Sequence, residues 1–153
     1  MFEKLVDEGK VLKLGISNCY KPKRFRMLYD DARVKPSVLQ NRFYSDSGFD
    51  VELREFCAEA GIVYQSFWTL TSQTTQHGLR KERIQEIANE KELTPQTLMY
   101  AFMMGLGHTP LCGTTSKAHM LEDVAVMERI QGGEEILDNE ELDEIAFLLG
   151  IGE

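Results

Sequence analysis

Polar and aromatic side chains follow four short apolar segments of the chain, and these residues could form a binding site. They are Ser17-Asn18, Gln40-Asn41, Ser66-Phe67-Trp68 and Thr114-Thr115-Ser116. Strand ends are more polar than strand middles in any fold, so each group taken singly has an ordinary structural explanation. Four coincident changes from apolar to polar residues indicate one shared site.

The apolar segments are of strand length and alternate with segments of helical periodicity. Strands are predicted over 11–16, 36–41, 62–68 and 109–115, and helices over 2–8, 21–32, 50–60, 82–93, 94–105, 116–127 and 139–149. A polar loop is predicted over 71–78. Strands that alternate with helices pair in parallel, and ligands bind at the carboxyl ends of such strands. The class is α/β, and because no flexible linker interrupts the pattern, residues 1–153 form one domain.

Four residues have the types that begin helices. Asp50, Ser116 and Asn139 stand where caps are expected, and Thr94 is followed by Gln96 and Thr97. Their side-chain oxygens can accept hydrogen bonds from free N–H groups of the first helical turn. The pattern therefore predicts four capped helices.

Composition and charge exclude several classes of protein. The formal net charge of −8 comes without a basic block, which argues against a nucleic-acid partner. The longest nearly apolar run, 98–107, is too short for a membrane span. The first ten residues lack the apolar segment of a signal peptide, so a cytoplasmic location is expected.

The cysteines and histidines form no metal or disulfide pattern. Cys19, Cys57 and Cys112 are odd in number and widely spaced, so reduced thiols are expected. The three histidines lack the spacing that places two imidazoles on one helical face, and no metal is assigned. A redox role for Cys57 or Cys112 has no thiolate-activating motif behind it.

The segments around the four strand ends resemble signatures of the aldo-keto reductase family. Those segments are Glu8-Gly9-Lys10 with Leu14-Gly15-Ile16-Ser17-Asn18, Arg33-Val34-Lys35-Pro36 with Gln40-Asn41, Glu55-Phe56-Cys57 with Gly61-Ile62-Val63-Tyr64-Gln65-Ser66-Phe67, and Gly113-Thr114-Thr115-Ser116 with Glu122-Asp123. They look like the fifth to eighth strand regions, in family order and over nearly the whole chain. The resemblance implies a partial TIM (β/α)8 barrel of about four parallel βα units with an extra C-terminal helix.

The resemblance also implies a site for a nicotinamide dinucleotide, NADP or NAD. In the family, residues matching Ser17, Asn18 and Gln40 hold the nicotinamide carboxamide, and the aromatic matching Phe67 stacks on the nicotinamide ring. Trp68 and Leu70 match positions along the pyrophosphate, although packing of Trp68 beneath a helix is the alternative. The remaining cofactor-binding positions are Gly113, Thr114, Thr115, Ser116, His119, Glu122 and Asp123.

Two family positions near the adenosine end differ here. Gly113 replaces a common Lys, and His119 replaces the common Arg that faces the 2′-phosphate, so the choice between NADP and NAD stays open. The N-terminus of the helix after Ser116 offers a positive dipole end to an anion. Lys117, in its first turn, is expected to replace part of the missing charge.

The family's catalytic Asp, Tyr, Lys and His match no position in this chain. The resemblance therefore implies an NAD(P)(H)-linked oxidoreductase acting on a small carbonyl or alcohol substrate, in a truncated form that is poorly active alone. The alternative is a non-catalytic nucleotide-binding or interaction half-barrel. Four parallel strands cannot close a barrel, so their open edges predict self-association or pairing with a complementary half-barrel.

Overall fold

The computed structural model describes residues 2–71 and 73–151, in which helices alternate with four strands. In chain order the elements are α1 (Phe2–Asp7), β1 (Gly15–Ser17), α2 (Pro22–Asp31), β2 (Val38–Arg42), a 3-10 segment (Ser45–Asp50), α3 (Val51–Ala60), β3 (Val63–Phe67), α4 (Gln73–Gly78), α5 (Glu82–Glu90), α6 (Pro95–Gly105), β4 (Thr109–Pro110), α7 (Lys117–Gln131) and α8 (Asn139–Leu149). No helix among these is long and apolar enough to cross a membrane.

The four strands form one parallel sheet in the order β1-β2-β3-β4. In the register of the sheet, Gln40 lies between Ser17 on β1 and Gln65 on β3, and Arg42 lies opposite Phe67. Within the described residues, β1 and β4 each pair with one strand only. This open sheet with its helices confirms the predicted α/β class and partial barrel.

The two faces of the sheet differ in burial because successive side chains of a strand point to opposite faces. On one face, Leu39 and Asn41 of β2 and Tyr64 and Ser66 of β3 are buried. The side chains that alternate with them along β2 and β3 point to the other face and remain partly exposed. Val63, the first residue of β3, keeps 44% of its surface accessible. We call this second, uncovered side of the sheet the open face.

Two apolar clusters make up the core. The smaller one packs Phe25 of α2 and Leu53 and Cys57 of α3 against Leu39 and Tyr64 of the sheet. The larger one joins the helices from α5 to α8, which places the nearly apolar α6 at the centre of the fold. The helical layer therefore fixes the sheet from one side and leaves its carboxyl edge accessible.

The loop predicted over 71–78 is wrong, because Gln73–Gly78 forms α4. Its polar composition gives no apolar periodicity, and the helix is held by contact with α8. Gly78 approaches Leu149 so closely that a Cβ atom at position 78 would overlap the leucine side chain. Tertiary packing, rather than local pattern, decides this segment.

The outer strands are shorter than predicted. In the segment 11–14, which was expected in the first strand, Leu12 is 91% exposed, and β1 begins only at Gly15. The fourth strand ends at Pro110 instead of continuing to residue 115. In the described part of the chain each outer strand has a partner on one side only, so its pairing continues only where the backbone of that partner lies within hydrogen-bonding distance.

Helix starts agree with prediction at two of the four positions. Thr94 forms a capping box with Thr97, and the Ser116 hydroxyl accepts a hydrogen bond from the His119 N–H. The cap of α8 is Asp138, one residue before the predicted Asn139. Asp50 does not cap α3, because its backbone is left-handed (φ 54°) and its carboxylate is bonded within the core.

Candidate functional site

A row of polar side chains crosses the carboxyl edge of the sheet. The Ser17 hydroxyl donates to the Gln40 carbonyl at 2.9 Å, and Gln40 Nε2 donates to Gln65 Oε1 at 2.9 Å. These residues share one register line of neighbouring strands, so the row is set by backbone pairing. We call Ser17, Gln40 and Gln65 the amide row.

Asn18 continues this row beyond the end of β1. Its backbone is left-handed (φ 57°), and its N–H donates to the Gln40 carbonyl at 3.1 Å. The side-chain amide donates to Ser17 Oγ at 3.2 Å and accepts from Tyr20 Oη at 2.9 Å. A turn that asparagine tolerates well therefore brings its amide beside the Ser17 hydroxyl.

The aromatic residues at the end of β3 lie next to the amide row. Phe67 is two residues beyond Gln65 and thus on the same face of the strand. Trp68 follows with a left-handed backbone (φ 59°) and is 55% exposed. Its ring contacts the guanidinium of Arg42, whose Cζ is 4.0 Å from the ring centroid. Packing of Trp68 beneath a helix, the alternative considered from the sequence, is therefore wrong.

A cavity of about 650 Å³ opens beside Phe67. It lies between the end of β3, the N-terminal half of α6, the segment before α7 and α7 itself. Of the predicted cofactor residues, it is lined by Phe67, Trp68, Leu70, Gly113, Thr114, His119, Glu122 and Asp123. Ser17, Asn18 and Gln40 lie outside this lining, on the adjoining edge of the sheet.

The loop before α7 is held by short-range hydrogen bonds. Thr114 Oγ1 accepts from the Ser116 N–H at 3.1 Å and lies 3.5 Å from His119 Nδ1. Ser116 Oγ accepts from the His119 N–H at 3.4 Å. The structure does not place Thr115 and Ser116 in the cavity lining, and Ser116 has a capping role instead.

Several residues of the cavity wall were not identified from the sequence. Gln96 and Tyr100 come from α6 and Thr94 is its N-cap, in the long insertion between the third and fourth strands. Cys112 directly precedes the predicted Gly113, and its Sγ donates to Asp123 Oδ2 at 2.8 Å. The unequal spacing of the predicted strands indicated an insertion before the fourth strand. It did not indicate which side of the sheet the inserted helices would cover.

Cys112 and Tyr100, two ionisable groups of this wall, are held in their neutral forms. Partial burial raises the pKa of the Cys112 thiol, and the adjacent Asp123 carboxylate raises it further. Burial is also the main cause that raises the pKa of Tyr100 to about 12. Near neutral pH both groups stay protonated, so Cys112 is a hydrogen-bond donor rather than a reactive thiolate.

A buried polar cluster lies on the opposite face of the sheet, beneath the amide row. Asn41 bonds both the N–H and the carbonyl of Cys19, at 3.0 and 2.9 Å, and donates to Asp50 Oδ2 at 2.7 Å. Tyr64 Oη donates to the same oxygen at 2.9 Å. Burial raises the pKa of Asp50, while the bonds from Asn41 and Tyr64 oppose that rise. The cluster fixes the turn after β1, and thereby the position of Asn18.

The described residues contain no group of three or more His, Cys, Asp or Glu side chains that could hold a metal ion.

Four parallel strands with helices on one face, and a cavity at the carboxyl ends of those strands, define part of a (β/α)8 barrel. A sequence model of the Aldo/keto reductase family matches residues 1–145. The chain belongs to the aldo-keto reductase family.

Two relatives and one solved structure illustrate the similarity. The chain is 30% identical over 129 residues to aldo-keto reductase family 4 member C11 of Arabidopsis thaliana, covering 82% of this chain and 40% of the relative. It is 26% identical over 157 residues to the NAD(P)H-dependent D-xylose reductase of Kluyveromyces lactis, covering 95% of this chain and 46% of the relative. An aldo-keto reductase from a Medee basin deep-sea metagenome library has the same fold, with a TM-score of 0.79 at 20% identity. That comparison covers 96% of this chain and 51% of the solved one.

The chain thus spans about half the length of the curated relatives that it matches.

Proposed function

We propose that this chain forms the nicotinamide dinucleotide-binding half of an NAD(P)(H)-linked aldo-keto reductase that acts on a carbonyl or alcohol substrate. The observation that carries the proposal is the continuity between the amide row, Phe67 and the 650 Å³ cavity. This cavity volume lies within the range of about 300–1,000 Å³ that is usual for ligand sites.

The nicotinamide end of the ligand belongs at the amide row. Its carboxamide needs both donors and acceptors, which Ser17, Asn18 and Gln40 supply from fixed positions. The nicotinamide ring stacks on Phe67, whose apolar face suffices for that contact. Bound in this way, the cofactor supplies hydride transfer, and the protein determines which face of the ring is accessible.

The adenosine end of the ligand belongs in the cavity. Trp68 and Leu70 line the cavity together with Phe67, and we propose that they lie along the pyrophosphate. Glu122 and Asp123, which line the cavity from α7, are proposed to hold the adenine. The loop carrying Gly113 and Thr114, together with Thr115 and Ser116, leads into the N-terminus of α7. The NAD(P)H-dependence named for the Kluyveromyces lactis relative supports a nicotinamide cofactor.

Catalysis by this chain alone is proposed to be poor. Carbonyl reduction needs a proton donor near the oxygen that receives negative charge. Burial raises the pKa of Tyr64, and that of Tyr100 is raised to about 12, so neither phenol is tuned to release a proton at neutral pH. Binding of the dinucleotide without rapid turnover is the expected behaviour.

Fluorescence of Trp68 gives a direct test, because it is the single tryptophan of the chain. NADPH and NADH are each titrated while energy transfer from Trp68 to the dihydronicotinamide is recorded. Phe67→Ala is expected to weaken binding about tenfold through loss of stacking. Phe147→Ala is the matched control, since Phe147 is 84% exposed on α8.

Absence of saturable binding of either dinucleotide would overturn the proposal. Equal affinities of the wild type and Phe67→Ala would overturn the assigned position of the ring. An assay that follows the nicotinamide absorbance of NADPH in the presence of an aldehyde then distinguishes the two functional hypotheses. Turnover supports the enzyme, and binding without turnover supports the non-catalytic module.

Preference for NADP is proposed to depend on Lys117, the first residue of α7. Its ammonium group provides positive charge near the 2′-phosphate, where the chain has His119 instead of the family's arginine. Lys117→Ala should lower the affinity for NADPH relative to NADH. An unchanged ratio of the two dissociation constants would contradict this role.

We further propose that two copies of the chain associate through the sheet. Each outer strand exposes one row of backbone hydrogen-bonding groups, and the open face carries apolar surface at Val63. Association would cover both features. A complementary half-barrel is the other partner that the same edges would accept.

A further inference from the structure

Arg42 is a positively charged residue beside the nicotinamide position proposed above, since it pairs with Phe67 across the sheet. It ends β2, and its Cα pairs with that of Phe67 on β3. Its guanidinium contacts two aromatic rings, with Cζ 4.0 Å from the centroid of Trp68 and 5.1 Å from that of Tyr44. We call Arg42, Tyr44 and Trp68 the arginine stack.

The charge of Arg42 has no counterion within the described part of the chain. Arg33, Arg83 and Arg129 each have a carboxylate oxygen within 2.8 Å, but the ion pairs of the described residues do not include Arg42. Its Nε is shielded from solvent and has no hydrogen-bond partner among the residues that the structure describes. A guanidinium stays protonated at any physiological pH, so this charge is permanent.

The arginine stack determines how a ligand can reach this charge. The guanidinium packs against the aromatic rings and its Nε is shielded from solvent, whereas the side chain as a whole remains partly exposed. The two Nη groups are therefore the donors that a ligand can use. A carboxylate or phosphate presents two oxygens to such a pair in a planar arrangement.

We propose that Arg42 binds an anionic oxygen group, a carboxylate or a phosphate, beside Phe67. By strand alternation Arg42 lies on the same face as Gln40, and its partner Phe67 lies on the same face as Gln65. An anion held there lies next to the amide row. If the dinucleotide binds as proposed, the anion is either the carboxylate of an acidic carbonyl substrate or a phosphate of the cofactor itself.

The binding of the anion can be tested without any dinucleotide. Wild type is titrated with acetate, inorganic phosphate and inorganic pyrophosphate at constant ionic strength, which is maintained with chloride. Trp68 fluorescence reports on the arginine stack, and titration calorimetry measures the same constants independently. Wild type should show saturable binding of at least one of these anions.

Arg42→Gln should weaken that binding at least tenfold, and Arg42→Lys should weaken it as well, because lysine keeps the charge but lacks the planar pair of donors. Arg24→Gln is the matched control, since Arg24 is an exposed residue of α2 and loses the same charge. Circular dichroism establishes that each variant is folded. Equal anion affinity in wild type and both Arg42 variants, or a wild-type response that follows ionic strength alone, would overturn the proposal.

Competition with NADPH distinguishes the two sources of the anion. If saturating NADPH abolishes the binding of acetate, Arg42 is occupied by a phosphate of the dinucleotide. If acetate still binds, with an affinity that Arg42→Gln lowers, the site belongs to the carboxylate of a substrate. Failure of NADPH to bind would refute the proposed function, while the titrations with simple anions would still decide the role of Arg42.

Discussion

His108 is a buried residue whose protonation state follows from its neighbour. Arg54 Nη1 lies 3.2 Å from His108 Nε2, and because a guanidinium can only donate, Nε2 must accept. The imidazole proton is then on Nδ1, which is buried and has no hydrogen-bond partner within residues 2–71 and 73–151. Burial lowers the pKa of His108 to about 3, and the nearby charge of Arg54 contributes to that decrease.

This low pKa makes the stability of the fold depend on pH. In the unfolded chain His108 takes up a proton near the ordinary histidine pKa of about 6.5, whereas in the folded protein it stays neutral down to much lower pH. The free energy of unfolding therefore decreases as the pH falls below about 6.5. Lowering the pH from about 7 to about 5 should reduce the free energy of unfolding by about 2 kcal/mol through His108 alone.

Urea unfolding of wild type and His108→Gln at several pH values measures this contribution. The glutamine variant cannot be protonated, so its free energy of unfolding should decrease less over the same pH range. His119→Gln, which replaces an exposed histidine of α7, is the control and should follow wild type. Parallel curves for wild type and His108→Gln would show that His108 does not titrate as described.

Individual side chains were predictable from the sequence where one strand determines their position. Gln40 and Phe67 were expected at the strand ends; Phe67 is the last residue of β3, whereas Gln40 lies two residues before the end of β2. The roles of Asn41, Asp50 and Tyr64 were not predictable, because they meet through the packing of three separate segments. Asp50 shows the difference clearly, since the local rule predicted a helix cap and the buried cluster provides stronger partners.

At the scale of elements, Gly61 shows how one residue ends a helix. It follows α3 with a left-handed backbone (φ 67°), and its N–H returns to the carbonyls of Cys57 and Ala58. Apart from the adjoining backbone, no atom of the described residues lies within 4 Å of the position that a Cβ would take. The cost of a side chain there is therefore conformational and does not come from a steric clash.

Gly61→Ala should lower the free energy of unfolding by about 1 kcal/mol, because an L-residue with a side chain disfavours this region. Gly113→Ala is the matched control, since it also has open space around the Cβ position but lacks a positive φ. Thermal and urea unfolding of both variants provide the measurement. A loss of stability at Gly113 as large as that at Gly61 would refute the conformational explanation.

The central elements were predictable because their signals are local. β2 and β3 carry apolar runs between turn residues, and α6 has both a capping box and an apolar sequence. The segment that forms α4 lacks such a signal, and its helix depends on contact with α8. The start of β1 was predicted four residues too early. An apolar run indicates that a strand is present, but it does not determine at which residue the pairing with the neighbouring strand begins.

At the scale of the whole molecule, the alternation of strands and helices predicted the class and the parallel sheet. It also predicted that ligand groups would gather at the carboxyl edge, since every strand of a parallel sheet ends on that side. The sequence could not show that α6 forms one wall of the cavity, because the packing of an inserted helix depends on contacts remote in the chain.

Association of two chains is the prediction that belongs to this scale. Val63 lies on β3, one of the two inner strands of the sheet, and pairs with Val38 of β2. Its side chain is 44% exposed on the open face. Burying the amino end of this face, around Val63, against a second copy would remove apolar surface from water and cover the adjoining strand edges, while the amide row and Arg42 at the carboxyl end stay accessible. Sedimentation velocity over a wide range of protein concentration should show a concentration-dependent shift from monomer to dimer.

Val63→Lys should abolish that shift, because an ammonium group would be buried at the contact without a partner. Met27→Lys is the matched control: Met27 is 65% exposed on α2, in the helical layer away from the open face, so this variant should dimerise like wild type. Both variants should keep the circular dichroism spectrum of wild type, since each replaces an exposed side chain. A wild type that remains monomeric at the highest concentration, or a Val63→Lys variant that dimerises as wild type does, would show that the open face is not the contact surface.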